Sequence, residues 1–207
     1  MTSGLDPGLL RLLAITDDLR DGREGLVGRA RAAVRGGATM VQLRLKGEDA
    51  RTLVEVARAL IATLAVPVVV NDRADVALAA GAAGVHLGVD DLPPAAVRRV
   101  VPPEFIIGAS VGDEAEVANA AGADYAGIGP VWVTASKADA GGAIGVEGFA
   151  RLAGRLTIPS VAIGGVTAEN AAAVAAAGAA GVAVIRALFA ARDPEQAARA
   201  LRVAIGR

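Results

Sequence analysis

The stretch "GAAGVHLGVDD", residues 81–91, contains the unit whose repetition decides the fold. An alanine-rich segment stops at Gly81-Ala82, an apolar run follows, and the run ends at two acids, Asp90-Asp91. Gly-Ala precedes a short apolar run three more times: Gly37-Ala38 before "TMVQLRL", Gly122-Ala123 before "DYAGIGPV" and Gly178-Ala179 before "AGVAVI". Glycine enters the left-handed conformation that terminates a helix at no side-chain cost, so each pair marks a passage from helix to strand. Strands of a second kind have proline near their start: Pro67 before "VVVN", Pro103 before "EFIIGAS" and Pro159 before "SVAIGG". With "LLRLLAITDD" at the front, eight strand candidates result.

Between them lie helical patterns. Residues 48–64 place Leu53, Val56, Ala57, Leu60 and Leu64 on one stripe. Residues 113–121 and 167–177 open with cap-like Asp113 and Thr167, and residues 194–205 begin with Pro194, a good first helical position. Strands alternating with helices pair in parallel, and eight such units predict an α/β fold of the (β/α)8 TIM-barrel class. The rival, a doubly wound open sheet, usually has fewer strands for this length. No linker or charge run divides the chain, so residues 1–207 read as one domain.

Bulk properties narrow the function. Of 207 residues, 54% are hydrophobic and 21% charged, which indicates a globular chain. Net charge is -1 and aromatics are 2%, so neither the basic face nor the stacking platform of a nucleic-acid binder is expected. The absence of cysteine excludes disulfides and thiolate chemistry and fits a cytoplasmic address. His86 is the only histidine, so a multi-histidine zinc site is impossible; a packed structural imidazole is the expected role. The start of the chain lacks the pattern of a signal peptide, and no apolar run is long enough to span a bilayer.

Barrel enzymes work at the C-terminal ends of their strands, so the residues found there are the candidates. Gln42, Arg44 and Lys46 alternate with Val41, Leu43 and Leu45, which puts the polar set on one face. In a closed barrel that face is the mouth, and two cations with an amide there call for an anion. Strand 3 ends at Asn71-Asp72 and strand 4 runs to Asp91. Helix capping is one role open to each acid. Together, and beside Arg44 and Lys46, they suit a Mg²⁺ ion carrying a diphosphate. The glycines of "VAIGG" follow strand 7, where backbone N–H groups can approach a phosphate. The loop "WVTASKADAGGAIG" reads as a mobile flap, with Trp132 packed beneath it or walling a ligand.

The motifs "VQLRLK", "VNDRADVAL", "GVHLGVDDLP", "GIGPVWVTASK" and "VAIGG", in this order, resemble those of the thiamine-phosphate synthase (thiamine-phosphate pyrophosphorylase) family from about Ala14 to Ile185. The resemblance implies a Mg²⁺-dependent transferase on a (β/α)8 barrel. Such an enzyme joins 4-amino-2-methyl-5-hydroxymethylpyrimidine diphosphate to 4-methyl-5-(2-hydroxyethyl)thiazole phosphate, giving thiamine phosphate and pyrophosphate. Carried over by motif, Gln42, Arg44, Lys46 and Asn71 match the pyrimidine-diphosphate site, with Ser110 and Lys137 also touching that substrate. Asp72 and Asp91 match the metal ligands. Thr134 and Ser136 match residues near the thiazole phosphate, and Gly165 with Ile185 its backbone cup.

Some positions depart from the family pattern. Leu45 stands where glutamate is common, Val89 where glutamine is, Val133 where proline is, and Ser136 where threonine is. Arg186 replaces a serine that usually helps to hold the thiazole phosphate, so it is expected either to grip that group harder or to change the ligand, a carboxylated thiazole phosphate among the options. Three rivals stay open: a thiazole tautomerase-like isomerase, a non-catalytic binding or regulatory protein on the same barrel and, last, another phosphosugar isomerase or epimerase of this fold. The expected partners are small molecules, not nucleic acid or membrane; the sequence allows a homodimer without requiring one.

Overall fold

Eight short apolar runs close into a barrel in the computed structural model, which describes residues 5–134 and 142–206. The strands are β1 (Leu12–Ile15), β2 (Met40–Leu43), β3 (Val68–Asn71), β4 (Gly84–Leu87), β5 (Ile106–Val111), β6 (Tyr125–Ile128), β7 (Ser160–Ile163) and β8 (Gly181–Val184). Each pairs in parallel with the next, and β8 returns to β1 through Leu13↔Ala183. The helices are α1 (Gly22–Arg35), α2 (Ala50–Thr63), α3 (Ala74–Ala80), α4 (Pro94–Arg98), α5 (Gly145–Ala153), α6 (Ala171–Ala176), α7 (Arg186–Phe189) and α8 (Pro194–Ala204). The (β/α)8 barrel expected from the repeats is the fold observed.

Alternation along the strands makes two apolar layers. Leu13, Ile15, Met40, Val69, Ile106, Tyr125, Val161 and Ala183 fill the lumen, and Leu10 closes its lower end from a 3-10 helix at Pro7–Leu10. The other faces pack on the helices: Val41, Leu43, Val70, Leu87 and Ile107 join Leu26, Leu53, Leu60, Phe149 and Leu201. In α2 the buried stripe is Leu53, Val56, Ala57 and Leu60, and Asp49 caps the helix by accepting from the Thr52 N–H at 2.8 Å. Burying one Leu or Val contributes about 1.5–3 kcal/mol. A cap contributes about 1 kcal/mol. The stripe therefore decides where the helix lies, and the cap decides where it starts.

Gly81 ends α3 at φ +74, as its place before an apolar run requires. The helix expected over 113–121 is instead a 3-10 helix, Ala115–Ala120. Asp113 does act at its start, accepting from the N–H groups of Ala115 (2.8 Å) and Glu116 (3.1 Å). This connection is short, and a 3-10 helix rises about 2.0 Å per residue against about 1.5 Å for an α-helix, so six residues span more of the return along a strand. The helix expected from Thr167 starts later, at Ala171, because Asn170 organises the turn: its Oδ1 accepts from the Thr167 N–H at 2.9 Å. Among the described residues, no helix is long and apolar enough to cross a membrane.

Candidate active site

Thr16 sets the geometry of the mouth. It is fully buried at the end of β1, and its N–H donates to Gln42 O at 2.9 Å. Its Oγ1 accepts from the Arg44 N–H at 2.8 Å and donates to Arg44 O at 3.1 Å. The β1–β2 ladder is thereby extended through a side chain, which fixes where Arg44 leaves the barrel. The predicted alternation is present here. Gln42 is buried and its Nε2 donates to Asn71 Oδ1 at 2.7 Å, whereas Leu43 and Leu45 join the helix-side core with Leu53. Leu45 therefore faces away from the mouth.

Asp72 follows β3 with φ +64, the only non-glycine residue with positive φ among those described. Asp and Asn tolerate this region better than other side chains. Its N–H donates to His86 O at 2.7 Å, pinning the turn to β4. Burial, then a hydrogen bond with the Asp91 carboxyl and the charge of that group, push the Asp72 carboxyl up to about 6, while Lys46 and Arg44 pull it down. Two acids and two cations thus share one electrostatic neighbourhood. Arg44, Lys46, Asn71 and Asp72 also line a cavity of about 320 Å³ between the ends of β2 and β3.

Asp91 does not cap α4, whose N-cap is Pro93 with no side-chain bond. It closes its own turn, accepting from the Gly88 N–H at 2.6 Å. Asp17, at the end of β1, has the opposite character: Arg29 (3.3 Å) and Arg20 both engage its carboxylate, and Arg20 also donates to Phe189 O at 2.7 Å. Asp17 is committed to an ion-pair network that ties the β1 loop to α7. Asp72 and Asp91 have each other instead. Two neighbouring carboxyls beside two cations make a donor set that fits Mg²⁺, which draws its remaining ligands from water and phosphate oxygens. Among the described residues, no group of three or more His, Asp or Glu is arranged as a metal cage.

Ser110, half-buried in β5, has its Oγ 3.1 Å from His86 Nε2, and the other ring nitrogen, Nδ1, lies 3.0 Å from Tyr125 Oη. The imidazole is buried, as expected for a structural histidine, but it connects the lumen to a candidate site residue. Thr16 and Tyr125 were not among the expected site residues. For Tyr125 a signal exists: it is the only tyrosine, and it lies in a predicted strand two positions before Gly127.

On the far side of the mouth, Gly164 (φ +92) and Gly165 (φ +67) follow β7. A Cβ on Gly165 would lie 2.7 Å from Trp132 Cβ and 2.9 Å from Val133 O, and one on Gly164 would lie 2.6 Å from Pro130. Packing against residues 130–133 thus requires these glycines irrespective of any phosphate. The Trp132 N–H donates to Gly164 O at 3.0 Å, and Trp132 is half-buried against the helix-side core. Ile185 precedes α7, its carbonyl accepting from Leu188 and Phe189, and Arg186 is exposed as the first residue of that helix. Thr134 is half-buried; Ser136 and Lys137 lie outside the described residues.

Residues 12–188 match the family model described as thiamine monophosphate synthase. The chain is 50% identical over 201 residues to a thiamine-phosphate synthase of Azorhizobium caulinodans, with 95% of each chain covered. It has the same identity and coverage to the thiamine-phosphate synthase of Xanthobacter autotrophicus. Among solved structures it is similar to a thiamine phosphate pyrophosphorylase from Pyrococcus furiosus, at a TM-score of 0.85 and 37% identity over 96% of both chains.

Proposed function

This chain belongs to the thiamine monophosphate synthase family, and from that premise we propose how its residues carry out the synthase reaction. It is a transferase of the thiamine-phosphate synthase type. The proposed substrates are 4-amino-2-methyl-5-hydroxymethylpyrimidine diphosphate and 4-methyl-5-(2-hydroxyethyl)thiazole phosphate, and the proposed metal is Mg²⁺. One observation supports this reading above the others: Arg44, Lys46 and Asp72 line one cavity at the mouth, with the Asp91 carboxyl beside Asp72.

Arg44 and Lys46 bind the diphosphate and neutralise the charge that grows as it leaves. Asp72 and Asp91 would hold the Mg²⁺, which when bound supplies further neutralisation of the diphosphate oxygens. Gln42 and Asn71, already bonded to each other, present amide groups to the pyrimidine. Ser110 donates to the pyrimidine diphosphate. Gly165, Ile185 and Arg186 receive the thiazole phosphate, with Thr134 beside it; Ser136 on the same phosphate and Lys137 on the diphosphate complete the assignment. The bond from the pyrimidine methylene to the diphosphate oxygen breaks, and its electron pair departs with the diphosphate. The thiazole nitrogen then gives its lone pair to the methylene carbon. No protein nucleophile is consumed, which suits a chain without cysteine. The side chains have to hold two reactants in line and stabilise a leaving group.

The test mixes purified protein with both substrates and Mg²⁺ and assays thiamine phosphate and pyrophosphate. Formation of both products that EDTA abolishes supports the proposal. Interconversion of thiazole tautomers without product would replace it with an isomerase.

A further inference from the structure

The imidazole of His86 lies below Ser110, in a part of the lumen that the proposed reaction leaves unused. Three strands build the arrangement. In the barrel register His86 of β4 pairs with Gly108 of β5, and Gly108 pairs with Tyr125 of β6. Gly108 leaves room for both rings: a Cβ there would lie 2.4 Å from His86 Nδ1 and 2.4 Å from Tyr125 Cζ. A Cβ on Gly127 would lie 3.1 Å from His86 Cε1. Two glycines thus clear the space in which Tyr125 Oη, the imidazole and Ser110 Oγ form a line of 3.0 and 3.1 Å contacts.

The direction of the protons along this line follows from burial. Tyr125 is fully buried, and among the described residues its hydroxyl has one hydrogen-bond partner, His86 Nδ1. Burial pushes the phenol well above its ordinary value, so it keeps its proton. If Nδ1 carried a hydrogen, it would donate to Tyr125 and leave the phenol hydrogen with no acceptor. An unmet buried donor costs about 1–3 kcal/mol. An imidazolium, with hydrogen on both nitrogens, would strand the same hydrogen. The remaining form has Tyr125 donating to a bare Nδ1, and Nε2–H donating to Ser110 Oγ. The Ser110 lone pair is then occupied from below, and its own hydrogen is left to point into the mouth.

We propose that Tyr125 and His86 are positioning residues that fix Ser110 as a hydrogen-bond donor toward the pyrimidine diphosphate. The pair acts through Ser110 and touches no substrate. This inference rests on the reading of Ser110 as a diphosphate contact, but the tautomer it requires can be read without any reaction.

His86 is the only histidine, so protein labelled with ¹⁵N-histidine gives the spectrum of one ring. The expected result at neutral pH is the Nε2–H tautomer in the substrate-free wild type. A Nδ1–H tautomer or an imidazolium overturns the proposal, whether or not the protein turns over. In Tyr125→Phe, which keeps the ring and removes the hydroxyl, the Nδ1–H form is expected to enter as averaged shifts; an unchanged tautomer overturns the role of the phenol. In the synthase assay Tyr125→Phe is expected to lower kcat on the order of tenfold with little change in KM, the size of one misdirected hydrogen bond. In a Ser110→Ala background the same substitution is expected to cost nothing more. Full additivity of the two losses would show that the pair does not act through Ser110, while absence of turnover with the spectrum as expected would count against the substrate assignment alone.

Discussion

Asp72 and Asp91 are held carboxyl to carboxyl, one on a left-handed turn after β3 and the other closing a turn on the Gly88 N–H. Burial and the neighbouring acid raise the Asp72 carboxyl to about 6. A carboxyl raised on folding gives stability that is complete below the unfolded value near 3.8 and is lost as pH rises through about 6. Metal-free protein is therefore expected to lose melting temperature between pH 4 and 7, and Asp91→Asn to melt higher than wild type at pH 7.5 in EDTA. The pair is half-exposed and screened, so the gain is roughly 1–3 °C. Melting curves across this range check it; a lower melting point for Asp91→Asn at pH 7.5 refutes the coupling.

Asp72→Asn tests the metal role without disturbing the backbone, because asparagine tolerates φ +64 nearly as well as aspartate. The expected outcome is a melting temperature near wild type, with kcat lowered by about 10–100-fold and a weaker apparent Mg²⁺ affinity. A Mg²⁺ titration of turnover measures both. Wild-type turnover in this variant would remove Asp72 from the metal site.

Thr16 holds the backbone of Arg44 in both directions with one hydroxyl. Thr16→Val leaves the Arg44 N–H unmet and is expected to cost about 1–3 kcal/mol of stability. It should also raise KM for the pyrimidine diphosphate, since Arg44 no longer leaves β2 at a fixed place. Thr16→Ser restores the hydroxyl and should restore both. Urea unfolding and steady-state kinetics on the two variants decide the matter.

Arg186→Ser removes an exposed cation from the first turn of α7. We expect KM for the thiazole phosphate to shift and KM for the pyrimidine diphosphate to stay fixed. The opposite pattern would place Arg186 on the wrong substrate. Comparing the plain and carboxylated thiazole phosphates in both proteins tells whether the arginine reads the extra charge.

The strand ends were legible because they obey local rules. Gly81-Ala82 stops a helix, an apolar run of fixed length follows, and period two assigns Gln42 and Leu43 to opposite faces. Which acids are free to bind was not legible. Asp17 and Asp72 look alike as strand-end aspartates, yet Arg29 neutralises only the first, and closure of β8 on β1 brings the Arg20 side chain to Phe189 O. The line from Tyr125 through His86 to Ser110 joins residues up to 39 positions apart and depends on two glycines that vacate the lumen. Another pair of glycines hid the role of "VAIGG": close approach of residues 130–133 accounts for Gly164 and Gly165, and a lone sequence cannot separate that demand from phosphate binding.

The Gly-Ala turns stand where helices hand over to strands, at the rim opposite Arg44, Asp72 and Ser110. A chain opened at one of these handovers, its old ends joined by a linker, would keep every βα loop of the mouth intact. Circular permutants cut there should separate the sequence order of the barrel from its chemistry.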